Sequence, residues 1–289
     1  MERKLLLLML PGILFTGTIL AQGNVKFAEY NPDNGLALNT VAAGNADQIK
    51  AGLKQFGPVI LYDSSGNKID TTLASIPAGL SAREVIDTYI AAIGGRDSLA
   101  AVHERITVMK GTVQGFPVTT TIYQKEPDLF KQELEAGDIT QEITFNGRDG
   151  KMQAGGQEMK IEGSELEKLK YEASIHLLLN LDSLGVNLKL SGMTKVNGKN
   201  AYKIEMLFPS GTKWIQYYDT GTGLKVKETK NITTPQGAFT QEVLYSDYNT
   251  VDGVKYPFNI KQSIGPQKIE FQVDSIKTNT GIPDSEFNL

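Results

Sequence analysis

Apolar and polar residues alternate along most of the chain from residue 105 to the C-terminus. The clearest unit spans residues 201–208, where Lys203 and Glu205 share one face and the other face carries Tyr202, Ile204, Met206 and Phe208. A period of two predicts a strand with one buried and one solvated face. A long succession of such strands predicts a mainly β fold whose sheet curls or closes to protect its edges.

Short turn sequences separate the predicted strands. Asn197-Gly198 and Asp252-Gly253 are dipeptides that favour the positive backbone angles of tight hairpins. Hairpin after hairpin pairs sequence neighbours in antiparallel fashion. We therefore predict an incomplete antiparallel β-barrel, or curled meander, that is covered by a few helices.

Two helical patterns mark the covering elements. Residues 81–93 begin with a capping box between Ser81 and Glu84, and Gly94-Gly95 ends the pattern. Residues 164–181 interrupt the strands and are predicted as a second helical stretch, whose second half is rich in isoleucine and leucine. An apolar helix between strands is expected to lie across the sheet or over its open end.

The N-terminal part divides into two segments. Residues 1–21 have the charged start, apolar run and small-residue end of a secretory signal, which predicts a periplasmic or secreted protein. Residues 22–80 contain a predicted helix at 46–56, a short strand at 59–62 and a linker. The β domain is expected to span residues 81–289, with no transmembrane segment after signal cleavage.

Composition narrows the possible chemistry. The net charge of -4 over 289 residues offers no basic footprint for nucleic acid. The chain has no cysteine and only two histidines, His103 and His176, which match no zinc motif. Carboxylates such as Glu133 and Glu142 are interpreted as the solvated face of adjacent strands. We predict no catalytic residues, no metal and no cofactor, and therefore not an enzyme.

The apolar faces leave two interpretations open, a packed core or a cavity that holds a lipid. At about 0.8 kcal/mol per buried CH₂, an acyl chain of about sixteen carbons gains on the order of 12 kcal/mol before ordering costs. An apolar cavity can therefore bind an acyl chain without any polar sequence motif. The candidate lining residues for such a cavity are Tyr202, Ile204, Met206, Phe208, Trp214, Leu177, Leu178 and Leu181.

Motifs at both ends of the β domain resemble the outer-membrane lipoprotein-sorting (LolA-like) family of periplasmic proteins. They are VIDTYIAAIGG at 85–95, DY at 247–248, VDGVKYP at 251–257 and IPDSEF at 282–287. The resemblance covers about residues 81–289. It implies an incomplete antiparallel barrel with helices over its mouth and lipoprotein acyl chains in its hollow. The best-studied carriers use an arginine inside the cavity as a switch, and no arginine of this chain is assigned to that role.

The N-terminal segment resembles a different family. VAAGNADQI at 41–49 and LKQFGPV at 53–59 are similar to the closing part of an insulinase-type zinc peptidase domain. That resemblance covers residues 39–70 and implies a remnant without the metal-binding core.

The leading hypothesis is an extracytoplasmic, non-enzymatic protein that binds an acyl chain, a lipoprotein or a similar apolar ligand. The alternative is a non-catalytic companion or remnant of an insulinase-type peptidase that acts as an interaction module. An enzyme ranks third. Under the alternative, the partner would be such a peptidase.

Overall fold

The computed structural model describes residues 61–62, 68–69, 76–113, 115–234, 237–265 and 267–289. The chain divides into two units, one formed by Thr18–Leu73 and one that contains Ala74–Leu289. In the first unit, strands β1 (Leu61–Tyr62) and β2 (Lys68–Ile69) pair antiparallel. The predicted helix at 46–56 and the predicted signal at 1–21 lie outside the described residues.

The larger unit is built on an antiparallel sheet of thirteen strands. The strands are β3 (Glu104–Val113), β4 (Phe116–Lys125), β5 (Leu129–Ala136), β6 (Ile139–Asn146), β7 (Gly150–Ala154), β8 (Gln157–Ile161), β9 (Asn187–Val196), β10 (Lys199–Leu207), β11 (Lys213–Asp219), β12 (Lys225–Thr234), β13 (Gly237–Val251), β14 (Val254–Ile264) and β15 (Gln267–Thr278). This sheet confirms the predicted mainly β, antiparallel fold class.

Two meanders form this sheet. Strands β3 to β8 follow each other to one edge, strands β15 back to β9 follow each other to the other edge, and β3 pairs with β15 in the middle. Edge strands β8 and β9 do not pair among the described residues, so the sheet is unclosed. Because β8 and β9 are consecutive strands in the chain, the helical segment that connects them runs from one free edge to the other.

The two predicted tight hairpins are present. Asn197 and Gly198 have φ angles of 49° and 80°, and Asp252 and Gly253 have φ angles of 48° and 83°. Positive φ at both central residues is the conformation that matches the twist of the flanking strands. These turns set the register of β9 with β10 and of β13 with β14.

Helix α1 (Ala82–Ala92) forms where the capping box predicted it. The Ser81 side chain accepts a hydrogen bond from the Glu84 backbone, and the Glu84 carboxylate accepts one from the Ser81 backbone at 2.7 Å. Gly94 ends the helix at φ 129°, and a Cβ there would overlap the carbonyl oxygen of Gly253. A side chain at this position would therefore force the helix away from the β13–β14 hairpin. Helix α2 (Gly95–Ala100) follows directly.

The segment between β8 and β9 differs from its prediction. Helix α3 spans Gly163–Ala173, Ser174 is extended (φ -68°, ψ 105°), and Leu177–Leu179 form a separate 3-10 turn. The single helical stretch predicted at 164–181 is therefore wrong. The reason lies in the packing, because Ile175 contacts the cluster around Val254 whereas Leu177 contacts the cluster around α1. In one continuous helix, a single apolar face could not contact both the cluster around Val254 and the cluster around α1.

Separate hydrophobic clusters lie between the sheet and its helices. Helix α1 shares one hydrophobic cluster with β10 and β11, in which Ile86 and Ile90 join Ile204 and Met206 of β10 and Tyr218 of β11. Helix α3 packs on β5 to β8 through Leu169 against Phe130 and Phe145. The two helices thus cover opposite flanks of the sheet and leave its central strands under the 174–179 segment.

The outer face of the sheet carries the carboxylates that were predicted to lie on the solvated face of adjacent strands. Glu133 on β5 lies opposite Glu142 on β6. Lys131 Nζ lies 2.7 Å from a Glu133 oxygen and 3.4 Å from a Glu142 oxygen. The lysine compensates two like charges that would otherwise repel across the strands.

Candidate ligand cavity

A cavity of about 410 Å³ lies between the concave face of the sheet and the helical cover. Its volume falls in the ~300–1,000 Å³ range of small-molecule sites. Apolar side chains of the central strands supply one wall: Met109, Ile122, Phe130, Val254, Tyr256, Ile260, Phe271, Val273 and Ile276. Ile175, Leu177, Leu178 and Leu179 supply the cover. The apolar part of the cavity thus joins strands that are far apart in sequence.

His176 holds the cover in place. Its Nδ1 lies 2.7 Å from a Glu126 carboxylate oxygen, and its Nε2 lies 3.1 Å from the carbonyl oxygen of Leu99. Only 14% of the side chain is exposed. These contacts join the 174–179 segment to α2 and to the loop after β4, in keeping with a structural role for this histidine.

A buried ion network forms the opposite wall. Lys230 Nζ lies 3.0 Å from both Glu172 and Glu228 and 3.8 Å from the centroid of the Trp214 ring. Lys225 Nζ lies 3.3 Å from the Glu228 carboxylate. Because Glu172 belongs to α3 and Lys230 to β12, the network also links α3 to the sheet.

The network shifts the pKa values of its members. Burial opposes ionisation of Glu228, but Lys225 and Lys230 outweigh burial and lower the pKa of this carboxyl from 4.5 to about 2. Burial raises the pKa of Glu172, although Lys230 opposes this shift. Burial alone would lower the pKa of Lys230, yet Glu172 and Glu228 raise it well above its usual value. Lys230 and Glu228 are therefore both charged at neutral pH.

Glutamines supply a second kind of polar group in the same cavity. Gln132, Gln241 and Gln262 are 3%, 1% and 4% exposed and line the cavity. Each has at least one buried amide atom without a hydrogen-bond partner. Buried polar side chains in proteins nearly always have partners, so these unpaired amides call for an explanation.

Arg105 lines the cavity at the end near α2. Its guanidinium donates to the Gln124 side chain and lies 5.1 Å from the centroid of the Tyr256 ring. The Arg105 Nε is buried without a partner. The sequence reasoning assigned no role to this arginine.

The candidate lining residues separate into two groups. Trp214, Leu177 and Leu178 line the cavity. Ile204, Met206, Phe208 and Leu181 are at most 2% exposed and belong to the packed cluster beneath α1, and Tyr202 packs against that cluster. Ligand contact by any of these residues stays a prediction.

Sequence reasoning missed the polar lining, although the pattern carries a signal for it. Gln216 stands between Trp214 and Tyr218 at a spacing of two, and Gln262 stands between Ile260 and Ile264 in the same way. A polar residue at the inward parity of an apolar strand is a candidate for an interior role.

Within the described residues, no group of three or more histidine, aspartate or glutamate side chains is arranged to hold a metal ion. No helix in that part of the chain is long and apolar enough to cross a membrane.

Comparison with solved structures finds several similar chains at low identity. A LolA superfamily protein from Nitrosomonas europaea has 12% identity and a TM-score of 0.48, over 73% of this chain and 99% of that one. A DUF1329 family protein from Desulfovibrio piger has 14% identity and a TM-score of 0.46, over 72% and 97%. A structure named as an outer membrane lipoprotein-sorting protein domain from Vibrio parahaemolyticus has 11% identity and a TM-score of 0.47, over 71% and 95%.

No family model matches the chain, and no curated protein matches it. Two of the three solved structures carry the name of the group that the end motifs resemble.

Proposed function

We propose that this chain is an extracytoplasmic, non-enzymatic binding protein for a ligand with an acyl chain, such as a lipid or a lipoprotein. The observation that carries the proposal is the cavity of about 410 Å³ between the sheet and its cover, in which apolar side chains form the larger part of the lining. An acyl chain in such a space is removed from water along its length, at about 0.8 kcal/mol per CH₂. Export is proposed from the signal pattern at residues 1–21, which lie outside the described part.

Lipid binding by the exported protein provides the test. We expect native mass spectrometry of gently purified protein to detect a bound lipid, and a fluorescent fatty acid to bind the delipidated protein with 1:1 stoichiometry. A protein that carries no lipid and takes up no fluorescent acyl probe would overturn the proposal.

A cavity-filling variant sharpens that test. Leu178 lines the cavity from the cover and is half-buried, so Leu178→Trp should fill part of the space and weaken probe binding at least several-fold. Leu207, which is 48% exposed, supplies the matched control Leu207→Trp. Equal probe affinity in both variants would argue against ligand entry into this cavity.

The alternative, a companion of an insulinase-type peptidase, depends on residues 39–70. The structure describes only four of these residues, and no observation on them favours the alternative. It stays a prediction.

A further inference from the structure

Two neighbouring glutamines in the cavity wall have amides that no protein group satisfies. Gln241 lacks a partner at both Nε2 and Oε1, and Gln262 lacks one at Nε2. Both side chains are almost completely buried, at 1% and 4% exposure, and both line the cavity. A buried amide without a partner is costly, so a fold that keeps two of them side by side needs a reason.

The register places the two side chains within reach of one ligand group. In the β13–β14 pair, Gln241 lies opposite Ile264 and Val243 lies opposite Gln262. Gln241 and Gln262 are therefore diagonal neighbours, whose Cα atoms are separated by roughly 7–8 Å or less. Together they offer free donors on two amides and a free acceptor on one.

Unpaired amides are not a general property of the buried glutamines in this cavity. Gln216 donates to the Glu228 carboxylate at 2.6 Å and accepts from the Tyr218 hydroxyl. Gln124 donates to the carbonyl oxygen of Glu172 at 3.0 Å. Gln132 on β5 also lacks a partner at Nε2, so the β13–β14 position differs from the rest of the cavity in placing two such amides side by side.

Charges beside this pair disfavour an ionic ligand group. Lys230 lies directly opposite Gln241 in the β12–β13 register and is compensated by Glu172 and Glu228. Lys225 also pairs with Glu228. The two lysines and the two carboxylates compensate each other and leave no net charge to pair with an ionic head group, so an uncharged group with hydrogen-bonding capacity fits best.

The apolar part of the cavity continues from this point along β14. Ile260 and Tyr256 line the same cavity, and Tyr256 lies six positions before Gln262 on the strand. At a rise of about 3.3 Å per residue, this path is roughly 20 Å long. An acyl chain can follow it while its polar end stays at the glutamines.

We propose that Gln241 and Gln262 form a subsite for an uncharged hydroxyl-, ester- or amide-bearing head group, which makes neutral-headed lipids the preferred ligand class. The proposal rests on the proposed function and deepens it. The unsatisfied amides are then the protein's half of a hydrogen-bond set that the ligand completes.

The test compares two lipids with the same acyl chain, a monoacylglycerol and a free fatty acid, as competitors of a fluorescent acyl probe on the full exported chain. We expect the wild-type protein to prefer the monoacylglycerol. Gln241→Met and Gln262→Met keep the side-chain length and remove the amide. Each should weaken monoacylglycerol binding by about 3- to 10-fold and leave fatty acid binding unchanged, the size expected for one hydrogen bond.

Stability measurements separate ligand recognition from a structural role. Removal of an unpaired buried amide should leave the melting temperature of the lipid-free protein unchanged or raise it. Gln272→Met, an exposed glutamine on β15, is the matched control and should change neither affinity. Lower stability together with equal loss for both lipids would assign the glutamines a structural role and overturn the proposal.

The wild-type protein alone also decides the question. Equal affinity for the two lipids, or a preference for the fatty acid, would overturn the neutral-head subsite and leave acyl-chain binding intact. Failure of every acyl probe to bind would instead overturn the proposed function itself.

Discussion

One flank of the sheet and its centre share an alternating pattern but differ in what covers them. The packed flank consists of β10 and β11 beneath α1, where Ile204 and Met206 are fully buried and Tyr218 is 1% exposed. The hollow centre consists of β3 and β13 to β15, which face the cavity. The comparison teaches that strand alternation specifies an inward face, whereas the covering element decides whether that face becomes core or cavity wall.

The hollow centre also has more polar residues at its inward positions than the packed flank has. Inward positions of β10 are Ile204 and Met206, both 0% exposed, whereas inward positions of β13 and β14 include Gln241 and Gln262. A helix packed on a sheet excludes water and leaves little room for polar groups. A cavity tolerates them, because a ligand or water can satisfy them.

The largest expected effect comes from a matched pair of truncations. Ile204→Ala should lower the free energy of unfolding by about 4 kcal/mol, because Ile204 is fully buried and its removal leaves a void in the packed flank. Ile260→Ala should cost only about 1–2 kcal/mol, because half-buried Ile260 already borders the cavity. Urea denaturation of both variants provides the measurement. Equal losses would remove the distinction between packed flank and hollow centre.

Acid sensitivity should come from the ion network in the cavity wall. The folded-state pKa of Glu228, about 2, lies below the ordinary value of 4.5. Its contribution is therefore complete above pH 4.5 and is lost as the pH falls toward 2, for a total of about 3 kcal/mol. Burial raises the pKa of Glu172, so protonation of this residue offsets part of the loss.

The measurement is urea denaturation between pH 7 and pH 3. We expect Glu228→Gln to be less stable than the wild-type protein at pH 7 and the gap between them to narrow by about 2 kcal/mol at pH 3. A gap that stays constant with pH would show that Glu228 is not held ionised by its lysines.

The smallest effects should distinguish the two covering helices. Ser81→Ala removes the capping box of α1 and should cost about 1 kcal/mol. Glu162, at the N-cap of α3, makes no capping hydrogen bond, and its ion pair with Lys160 is exposed, so Glu162→Ala should change stability by less than about 0.5 kcal/mol. Thermal denaturation of both variants checks this. A larger loss for Glu162→Ala would reverse the expected order.

Local signals predicted the elements of the fold well. The capping box at Ser81 and Glu84 and the dipeptides Asn197-Gly198 and Asp252-Gly253 act within a few residues, so their structures follow from neighbouring side chains. The sequence did not predict the break at Ser174, because Ile175 and Leu177 pack into two different clusters that involve distant strands. Tertiary packing overrides local helix preference there.

The candidate lining was only partly predictable. Leu178 and Trp214 border the cavity, whereas Met206 and Phe208 lie in the packed cluster, although all are large apolar residues. The Lys230 network and the paired amides of Gln241 and Gln262 join residues from different strands and from α3. No spacing along the sequence predicts that these residues come together.

The sequence by itself determined the alternating strands, the two tight hairpins and the antiparallel pairing of strands that follow each other, because these depend on neighbours along the chain. The pairing of β3 with β15, which joins the two meanders, appeared only in the tertiary structure. Only the tertiary structure decided where the inward faces are filled and where they remain hollow. That outcome depends on α1 and α3 covering the two flanks and on a segment that breaks at Ser174 and continues as a short 3-10 turn, instead of one continuous α-helix, lying over the centre. A packed core and a cavity wall have the same alternation of apolar and polar residues. They differ in how completely the covering element fills the space over the inward face.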